Sequence, residues 1–533
     1  MKRLQNIITE TNVWSLLAFA VVAATVIPAV NIVFGVITNE TENWLHIKQY
    51  LLKDYIVNTA ILFAFSGFFA SFIGVSLAYL VTVFDFPFRR FFKWALILPL
   101  SIPAYIGAYT YSGMLSYTGV ITNFLAWASG KMIFIDIMSM PGAIFVFTFF
   151  LFPYVYIISR AFLAKYTASL IESARMLGKD YTQIFFSVIL PVSRGVIAAG
   201  SALVLMEVAN DYGVVSYFGI NTFSVAIFKV WFGMGDISSA ARLCVYSMGF
   251  IILIMLAEKV VRGQKRFAIA TSKVRVLTPQ PLPNTKALAA CFYCFAVFCL
   301  GFLIPLFQLV AWAYMTYEEV LDPSFLEATV NTVVAAVVCA VIIVCCAILI
   351  TNSARISRSR FAKIASRLTA VGYSAPGAVI SIGVLILFMW LNDFTESFWS
   401  FSIITSAYML FFAYIVRFLA VGCSSLESGF EKIGKTYFEA SRTLGFGVTR
   451  TFFKVDFKMI IPSLIGACSL VFVDMVKELP LTLILRPFNY NTLATKIYEY
   501  AHDERIQHSA PAALIIIAIC SISVYYLSRV ERE

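Results

Sequence analysis

Two pairs of acidic residues lie inside long apolar segments of the chain. Glu207 and Asp211 are four residues apart, and Asp474 and Glu478 repeat this spacing further along, with Lys477 beside them. Residues at positions i and i+4 share a face of a helix, and ionisable groups within a membrane are costly and mark candidate functional sites. These four carboxyl groups are candidates to line a cation path or its gate. The alternative is that they hold a helix bundle or a docked protein in register.

Two polar segments carry a second repeated pattern. Glu172 to Gly178 and Glu439 to Gly445 share the order Glu, small residues, Arg, one residue, Leu-Gly, and Glu439 follows Glu172 at the same spacing that separates the acidic pairs. Helix-forming residues around a glycine predict two short helices joined by a glycine-centred turn. If a partner protein binds two protruding helices, its movement can be transmitted through them to the membrane helices. The alternative is an ordinary solvated loop.

The amino-acid composition indicates the class of protein in which these residues lie. Of 533 residues, 60% are apolar and 13% are charged, whereas an average soluble protein is about 45–50% apolar and about 25% charged. So few charges cannot cover a soluble surface, and the 50 Phe and 26 Tyr residues exclude fibrous and disordered classes. We therefore expect an all-α polytopic membrane protein.

Apolar runs long enough to cross a bilayer, about 20 residues each, occur twelve times, and the shorter run Gly119–Ala128 is predicted to be interfacial or re-entrant. The predicted spans are 13–37, 56–83, 94–116, 140–160, 192–213, 237–257, 287–316, 328–351, 368–391, 398–421, 462–485 and 509–528.

The twelve spans divide into two sets of six. We predict a first six-helix half at 1–262 with its polar loop at 166–191, a basic and proline-rich linker at 263–286, and a second six-helix half at 287–533 with its polar loop at 430–461. Two parallel halves are a known transporter plan.

The net charge of +11 is explained by topology rather than by nucleic acid. Most Lys and Arg residues fall on one side if the first span starts inside, so both termini are predicted to be cytoplasmic. The first apolar run is longer than a signal-peptide core and is interpreted as an uncleaved span.

Polar residues in the outside loops form a candidate docking surface. Asn221 and Thr222 are echoed by Asn491 and Thr492, and an acidic and aromatic cluster begins at Tyr498 and Glu499. The cluster has hard ligand types suited to ferric iron, but its spacing is not that of a metal site. We therefore predict that it docks a binding protein.

Two further motifs are interpreted as coincidental. Gly429–Thr436 matches the P-loop letter for letter, but a P-loop needs a preceding strand and an α/β sheet, and here an apolar span precedes it. Cys291 and Cys294 form a CxxC inside an apolar run, which is typical of helix packing rather than of a redox site. No catalytic residues, bound cofactor or metal are predicted for this chain.

The repeated loops resemble the Glu-Ala-Ala loop of ABC importer permeases, in which a glycine and an Ile-x-Leu-Pro end follow at fixed distances. In the second loop the final Leu-Pro is replaced by Phe457-Lys458. The matching residues are Glu172, Ala174, Gly178, Val188, Leu190 and Pro191 in the first loop and Glu439, Ala440, Gly445 and Val455 in the second.

The match is closer to the fused two-half permeases of ferric-iron importers. The segments 205–219, 228–236, 473–480, 485–489 and 492–498 carry this similarity, so the resemblance extends over essentially the whole chain.

The resemblance implies a type I ABC importer permease in a bacterial inner membrane. Two copies of an ATPase subunit would bind the loops and carry the ATP and Mg²⁺, and an extracytoplasmic binding protein would deliver ferric iron. The cargo alternatives are sulfate, thiamine and a polyamine. A twelve-helix secondary transporter and a membrane redox protein are further alternatives.

Overall fold

The computed structural model of the chain describes residues 13–36, 40–166, 168–262, 278–356, 375–399, 406–434 and 436–530. The first half contains α1 Val13–Val36, α2 Glu42–Val83, α3 Arg89–Ala95, α4 Ala104–Leu115, α5 Val120–Ser129, α6 Met140–Tyr166, α7 Ala168–Met176, α8 Tyr181–Asn210, α9 Gly213–Tyr217, α10 Phe223–Gly233 and α11 Ile237–Arg262. The second half contains α12 Asn284–Val320, α13 Pro323–Ile356, α14 Gly377–Trp399, α15 Ala407–Ile433, α16 Thr436–Thr443, α17 Val448–Val476, α18 Pro480–Leu485, α19 Leu493–His502 and α20 Ala510–Val530.

The helices confirm the predicted fold class. Among the described residues, ten helices are long and apolar enough to cross a membrane, and the pair from Arg89 to Ser129 is an eleventh candidate bent by 89°. With the shorter apolar helix α14, each of the twelve predicted spans overlaps at least one helix among the described residues.

Several predicted span ends are wrong. The span 94–116 is broken between α3 and α4, because Pro99 and Pro103 interrupt the helical hydrogen bonds. The helix α15 continues to Ile433, well beyond the predicted end of the span 398–421, so the segment 430–461 begins inside a helix. The predicted residues 368–374 and 400–405 lie outside the described residues.

Close helix packing forms the interior of the first half. The helices α2 and α6 lie against each other where Gly74 faces Val155, and a Cβ atom at Gly74 would stand 2.8 Å from the Val155 Cβ atom and 2.9 Å from the Phe152 carbonyl oxygen. Only a glycine permits this approach, and small residues at helix contacts are how membrane helices gain packing contacts.

The same tertiary contact recurs in both halves. Asn58 of α2 donates from Nδ2 to the Asn221 carbonyl oxygen at 3.0 Å, and Asn331 of α13 donates to the Asn491 carbonyl oxygen at 3.3 Å. The helices α2 and α13 are therefore corresponding elements.

A two-residue parallel ladder joins β1, Phe84–Asp85, to β2, Gln280–Pro281. It connects the end of α2 to the end of the predicted linker 263–286, of which residues 263–277 lie outside the described part of the chain.

Candidate functional site

The first polar loop is one short helix that ends at a glycine turn. The helix α7 carries Glu172 on an exposed face and buries Ala174. Gly178 has φ +80°, a conformation that glycine adopts at little cost. The Gly178 N–H donates to the Arg175 carbonyl at 2.9 Å, and the Lys179 N–H donates to the Ala174 carbonyl at 3.1 Å. These two bonds form a Schellman turn, and the predicted glycine turn is confirmed.

The second polar loop has the same turn. Gly445 has φ +85°, its N–H donates to the Arg442 carbonyl at 3.0 Å, and the Phe446 N–H donates to the Ser441 carbonyl at 3.3 Å. Glu439 is exposed on α16. The duplication predicted from the sequence is thus a duplication of backbone geometry.

The prediction of a second short helix after each glycine is wrong. The chain enters α8 at Tyr181 and α17 at Val448, and each helix continues without a break to the far side of the bundle. Each contains one wide π-turn, at Phe185–Ile189 and at Phe452–Asp456. Each loop is therefore a single short helix attached to the end of a spanning helix.

The wide turn in α8 accommodates Pro191. A proline inside a helix lacks an N–H and clashes with the preceding turn, and π-turns relieve such interruptions. Leu190, beside it, is 37% exposed. In α17 the π-turn persists although Lys458 replaces the proline, so the turn itself, and not the proline, is common to both halves.

The alanine of the motif needs a correction in the second loop. Ala440 is exposed, whereas the next residue, Ser441, is buried as Ala174 is. The Ser441 hydroxyl lies 2.9 Å from the Thr451 hydroxyl. The position that packs each loop helix against the bundle is therefore Ala174 in one half and Ser441 in the other.

Exposed apolar side chains project from both loops. Met176 is 88% exposed, Leu177 is 81% exposed and Leu444 is 77% exposed. Exposed apolar groups on an otherwise polar protrusion are typical of a protein-binding surface. Sequence reasoning missed these three residues, although the Leu-Gly pair in both loops was a signal for two of them.

The acidic pair of the first half is divided by the end of a helix. The helix α8 ends at Asn210, and Asp211 has an extended backbone (φ −69°, ψ 131°). Its Oδ1 atom accepts a hydrogen bond from the Val214 N–H at 2.8 Å and so caps α9. The Asp211 N–H still donates to the Glu207 carbonyl at 3.0 Å, so Asp211 caps the end of α8 on the Glu207 side. The helix ends here because an Asp side chain that bonds nearby backbone N–H groups competes with helix continuation.

The second half breaks at the same place. The helix α17 ends at Val476, so the span predicted at 462–485 is two helices, whereas the span predicted at 192–213 lies on α8 up to Asn210. Asp474 and Lys477 form an ion pair of 3.0 Å. Glu478 lies beyond the helix end, and its Oε1 atom accepts from the Leu481 N–H at 3.3 Å.

Arg417 joins three elements at this break. It pairs with Glu478 at 3.2 Å, and both side chains are more than nine-tenths buried. Its Nη1 atom also donates to the Ala375 carbonyl at 3.0 Å. Arg417 therefore ties parts of the bundle together, and Arg242 pairs in the same way with Glu40 at 3.4 Å.

The four acidic residues surround one cavity between the halves. Its volume of about 90 Å³ is enough for a few water molecules at about 10–15 Å³ of such space each. Glu207 accepts a hydrogen bond from the Tyr154 hydroxyl at 3.3 Å. The charged residues that line the cavity are Glu207, Asp211, Arg417, Asp474, Lys477 and Glu478.

Hydrogen-bonding contacts join the two halves near the helix breaks. The Gly377 N–H donates to Asn210 Oδ1 at 2.7 Å, and the hydroxyls of Tyr212 and Tyr498 lie 3.2 Å apart. The two helix breaks therefore meet in a narrow junction between the halves.

The candidate docking residues have a structural role in part. Thr222 and Thr492 are buried residues that precede α10 and α19, and Thr492 forms a capping box with Thr495. Asn221 accepts a bond from Lys229 Nζ at 2.9 Å. The buried threonines do not present a docking surface in this conformation, which is a correction to their predicted placement.

Exposed residues remain on the same face. Glu499 pairs with Arg486 at 2.7 Å and is about one-third exposed. Phe488 is 94% exposed at the tip of the α18–α19 connection, where Asn489 has φ +62°. Sequence reasoning missed Phe488, and an aromatic side chain between two turn residues was the available signal.

The connection between α12 and α13 supports this face. Asp322 accepts a bond from the Phe325 N–H at 2.7 Å, and this bond, with the Ser324 hydroxyl and the charge of Lys496, lowers the pKa of the Asp322 carboxyl below its ordinary value. Lys496 of α19 donates to the Ser324 hydroxyl at 2.6 Å. The helix α19 is thus tied to the neighbouring turn.

The two coincidental motifs have unremarkable positions. Gly429 lies within α15, whose helical N–H groups are not free to surround a phosphate, and a Cβ at Gly429 would overlap the Ser463 side chain. Lys435 lies outside the described residues. Cys294 is fully buried on α12, and all ten cysteines, each in the described part of the chain, are free thiols.

Among the described residues, no group of three or more His, Cys, Asp or Glu side chains is arranged to hold a metal ion. The hard ligand types near Glu499 therefore do not converge in this conformation.

Comparison with known proteins identifies the family. The model of the binding-protein-dependent transport system inner membrane component matches residues 49–265 and again residues 343–532. The chain belongs to this family of ABC importer permeases. The two matches show that two permease units are fused in one multi-pass inner-membrane chain.

Relatives of the permease carry different cargo names. The chain is 25% identical over 483 residues to the Fe(3+)-transport system permease protein FbpB 2 of Haemophilus influenzae, covering 90% of each chain. It is 20% identical over 501 residues to the probable ABC transporter permease protein y4fN of Sinorhizobium fredii, covering 89% of this chain and 86% of that one. The molybdenum transport system permease protein ModB of Escherichia coli is 25% identical over 209 residues, which are 35% of this chain and 90% of that one.

Proposed function

We propose that the permease is the membrane subunit of an importer for ferric iron. The observation that carries this proposal is the similarity to the Fe(3+)-transport permease along 90% of both chains. The similarity to the molybdenum permease is confined to about a third of this chain, so it reflects one permease unit and not the fused pair.

The charges around the central cavity support a cationic cargo. Four carboxyl groups and two basic side chains line the cavity. A surplus of negative charge along a path favours the passage of cations. An oxyanion such as sulfate or molybdate would meet repulsion from Glu207 and Asp211. The surplus of negative charge therefore favours a metal cation over these anions.

The chain itself is proposed to carry no nucleotide. Two copies of an ATPase subunit bind the loop helices α7 and α16 and hold the ATP and Mg²⁺, with both chain termini on the cytoplasmic side. A solute-binding protein docks on the opposite face, near Asn221, Asn491, Tyr498 and Glu499. Glu172 and Glu439 contribute the charged contacts to the ATPases, and the exposed Met176 and Leu444 contribute apolar ones.

The cycle follows from the attachment of each loop to a spanning helix. ATP binding draws α7 and α16 together, and α8 and α17 carry the displacement to the breaks after Asn210 and Val476. The junction between the halves then opens outward, cargo enters from the binding protein, and hydrolysis resets the inward-facing state. Asp211 and Glu478 hold the short helices that follow each break.

The cargo is tested by uptake in cells that lack other high-affinity iron importers. Expression of the permease with its neighbouring transport genes should give uptake of radioactive ferric iron. A molar excess of sulfate, molybdate or spermidine should leave this uptake unchanged. If one of these competitors inhibits iron uptake and is itself taken up when labelled, that competitor is the cargo and the ferric-iron assignment is wrong.

The energy source is tested in the same cells. Collapse of the proton gradient with cellular ATP preserved should leave uptake intact, whereas a secondary transporter would stop. Uptake should also survive replacement of Cys291 and Cys294 by serine, which a redox mechanism would not.

A further inference from the structure

A buried ion pair marks the point where the second loop departs from the motif. Asp456 lies in the π-turn of α17, and its side chain is fully buried. It pairs at 3.0 Å with Arg355 in the last turn of α13, whose side chain is 9% exposed. A buried charge pair is costly to desolvate and rarely contributes to stability over an apolar pair, so its presence calls for another role.

Arg355 also reaches the start of the loop helix. Its Nη2 atom donates to the Gly434 carbonyl at 2.7 Å, directly before α16. Its guanidinium lies 4.9 Å from the ring centre of Phe430 and 5.7 Å from that of Phe438. One side chain of α13 thus contacts the end of α15, the beginning of α16 and the first part of α17.

The first half is built differently at the corresponding positions. The shift that relates α2 to α13 places Thr82 where Arg355 stands, and the shift that relates α8 to α17 places Ile189 where Asp456 stands. Thr82 and Ile189 are both buried. The contact from α2 to its loop is instead a bond from the Tyr79 hydroxyl to the Tyr181 carbonyl at 2.9 Å, which lies after the glycine turn rather than before the loop helix.

We propose that Arg355 is a positioning residue that clamps the second loop helix to α13. The pairing with Asp456 holds the guanidinium in place, and the bond to Gly434 fixes the entry of α16. A displacement of α16 then passes to α13 as well as to α17, whereas α2 carries Thr82 in place of this arginine and has no such fork to the start of α7. The two halves therefore respond unequally to their ATPases, a conclusion that rests on the proposed binding of an ATPase by α16.

The geometry of a guanidinium is needed for this clamp. Its two terminal nitrogens reach Asp456 and Gly434 at the same time, and a single ammonium group cannot reproduce this fork. Arg355→Lys should therefore keep the buried charge pair and lose the bond to Gly434. Two substitutions copied from the first half, Arg355→Thr with Asp456→Ile, remove both the clamp and the desolvated charges.

Hydrogen exchange on the purified full chain measures the clamp without any partner. In both variants the amides of 436–446 should exchange about fivefold faster or more. Local opening of α16 costs less free energy in these variants, because there are fewer Arg355 contacts to break. The amides of 168–178 should not change, and Tyr79→Phe should leave 436–446 unchanged. Wild-type exchange at 436–446 in the folded double variant, or in Arg355→Lys, would overturn the clamp.

Reconstitution with the ATPase and binding protein measures the consequence. The double variant is compared with the wild type only if the two unfold at the same midpoint temperature. Its ferric-iron uptake per ATP hydrolysed should then fall roughly threefold. Unchanged uptake per ATP in a variant with faster exchange would overturn the role in coupling. If the wild type moves no iron while exchange responds as expected, the cargo assignment fails and the clamp stands.

Discussion

Asp211 and Glu478 make the same contact in opposite halves of the protein. Each follows the end of a spanning helix, and each carboxylate accepts the backbone N–H three residues on, from Val214 at 2.8 Å and from Leu481 at 3.3 Å. The two acids therefore begin the short helices at the junction. Of these two acids, Glu478 also forms an ion pair with a buried arginine, Arg417. Loss of the Glu478 carboxylate would therefore leave a buried charge unpaired, and loss of the Asp211 carboxylate would not.

This inequality predicts unequal stability losses. Asp211→Ala removes a cap and should lower the free energy of unfolding by about 1 kcal/mol. Glu478→Ala leaves Arg417 buried without its carboxylate and should cost about 3–5 kcal/mol. Thermal unfolding of both variants in one detergent provides the comparison, and equal shifts of the midpoint would contradict the capping account.

Glu207 is the acid predicted to act on the cargo. Glu207→Gln keeps an acceptor for the Tyr154 hydroxyl but removes the negative charge next to the cavity. In a low-dielectric bundle this should reduce ferric-iron uptake per ATP by about three- to tenfold. Tyr154→Phe is the control, since it removes the bond and keeps the charge. A Glu207→Gln protein with full uptake per ATP would refute the path hypothesis and leave Glu207 a structural residue.

The loop glutamates should be essential to coupling. Glu172→Lys combined with Glu439→Lys reverses the charge of two exposed side chains on α7 and α16. We expect loss of transport at unchanged membrane levels, because the ATPases no longer bind productively. Glu318→Lys, near the opposite end of the bundle on α12, is the matched control and should transport normally. Normal uptake by the double variant would remove the coupling assignment.

Nucleotide should not bind the purified chain. The segment Gly429–Ile433 is helical, so its N–H groups are used within the helix and cannot surround phosphates. Equilibrium dialysis with labelled ATP should show no saturable binding, and Lys435→Ala should change nothing. Stoichiometric binding that the Lys435→Ala substitution abolishes would reverse this interpretation.

Features that depend on a short local pattern of residues could be predicted from the sequence. The glycine turns at Gly178 and Gly445 and the helices on all twelve spans follow from residue type and apolar length. The break after Val476 was missed, because a short apolar helix beyond a polar residue has the same composition as a continued span, whereas the span predicted at 192–213 ends close to Asn210. The pair of Arg355 and Asp456 was also missed, since 101 residues separate them and no local pattern joins them.

ATP-driven accumulation of ferric iron in proteoliposomes tests the account most directly. The permease would be reconstituted with the ATPase and binding protein encoded beside it, with ATP supplied on the side of the loop helices α7 and α16. We predict that radioactive ferric iron delivered by the binding protein accumulates only while ATP is hydrolysed, and that Glu172→Lys with Glu439→Lys abolishes accumulation. Accumulation that persists without ATP hydrolysis, or that is unaffected by the two loop substitutions, would contradict an import mechanism driven through the duplicated loops.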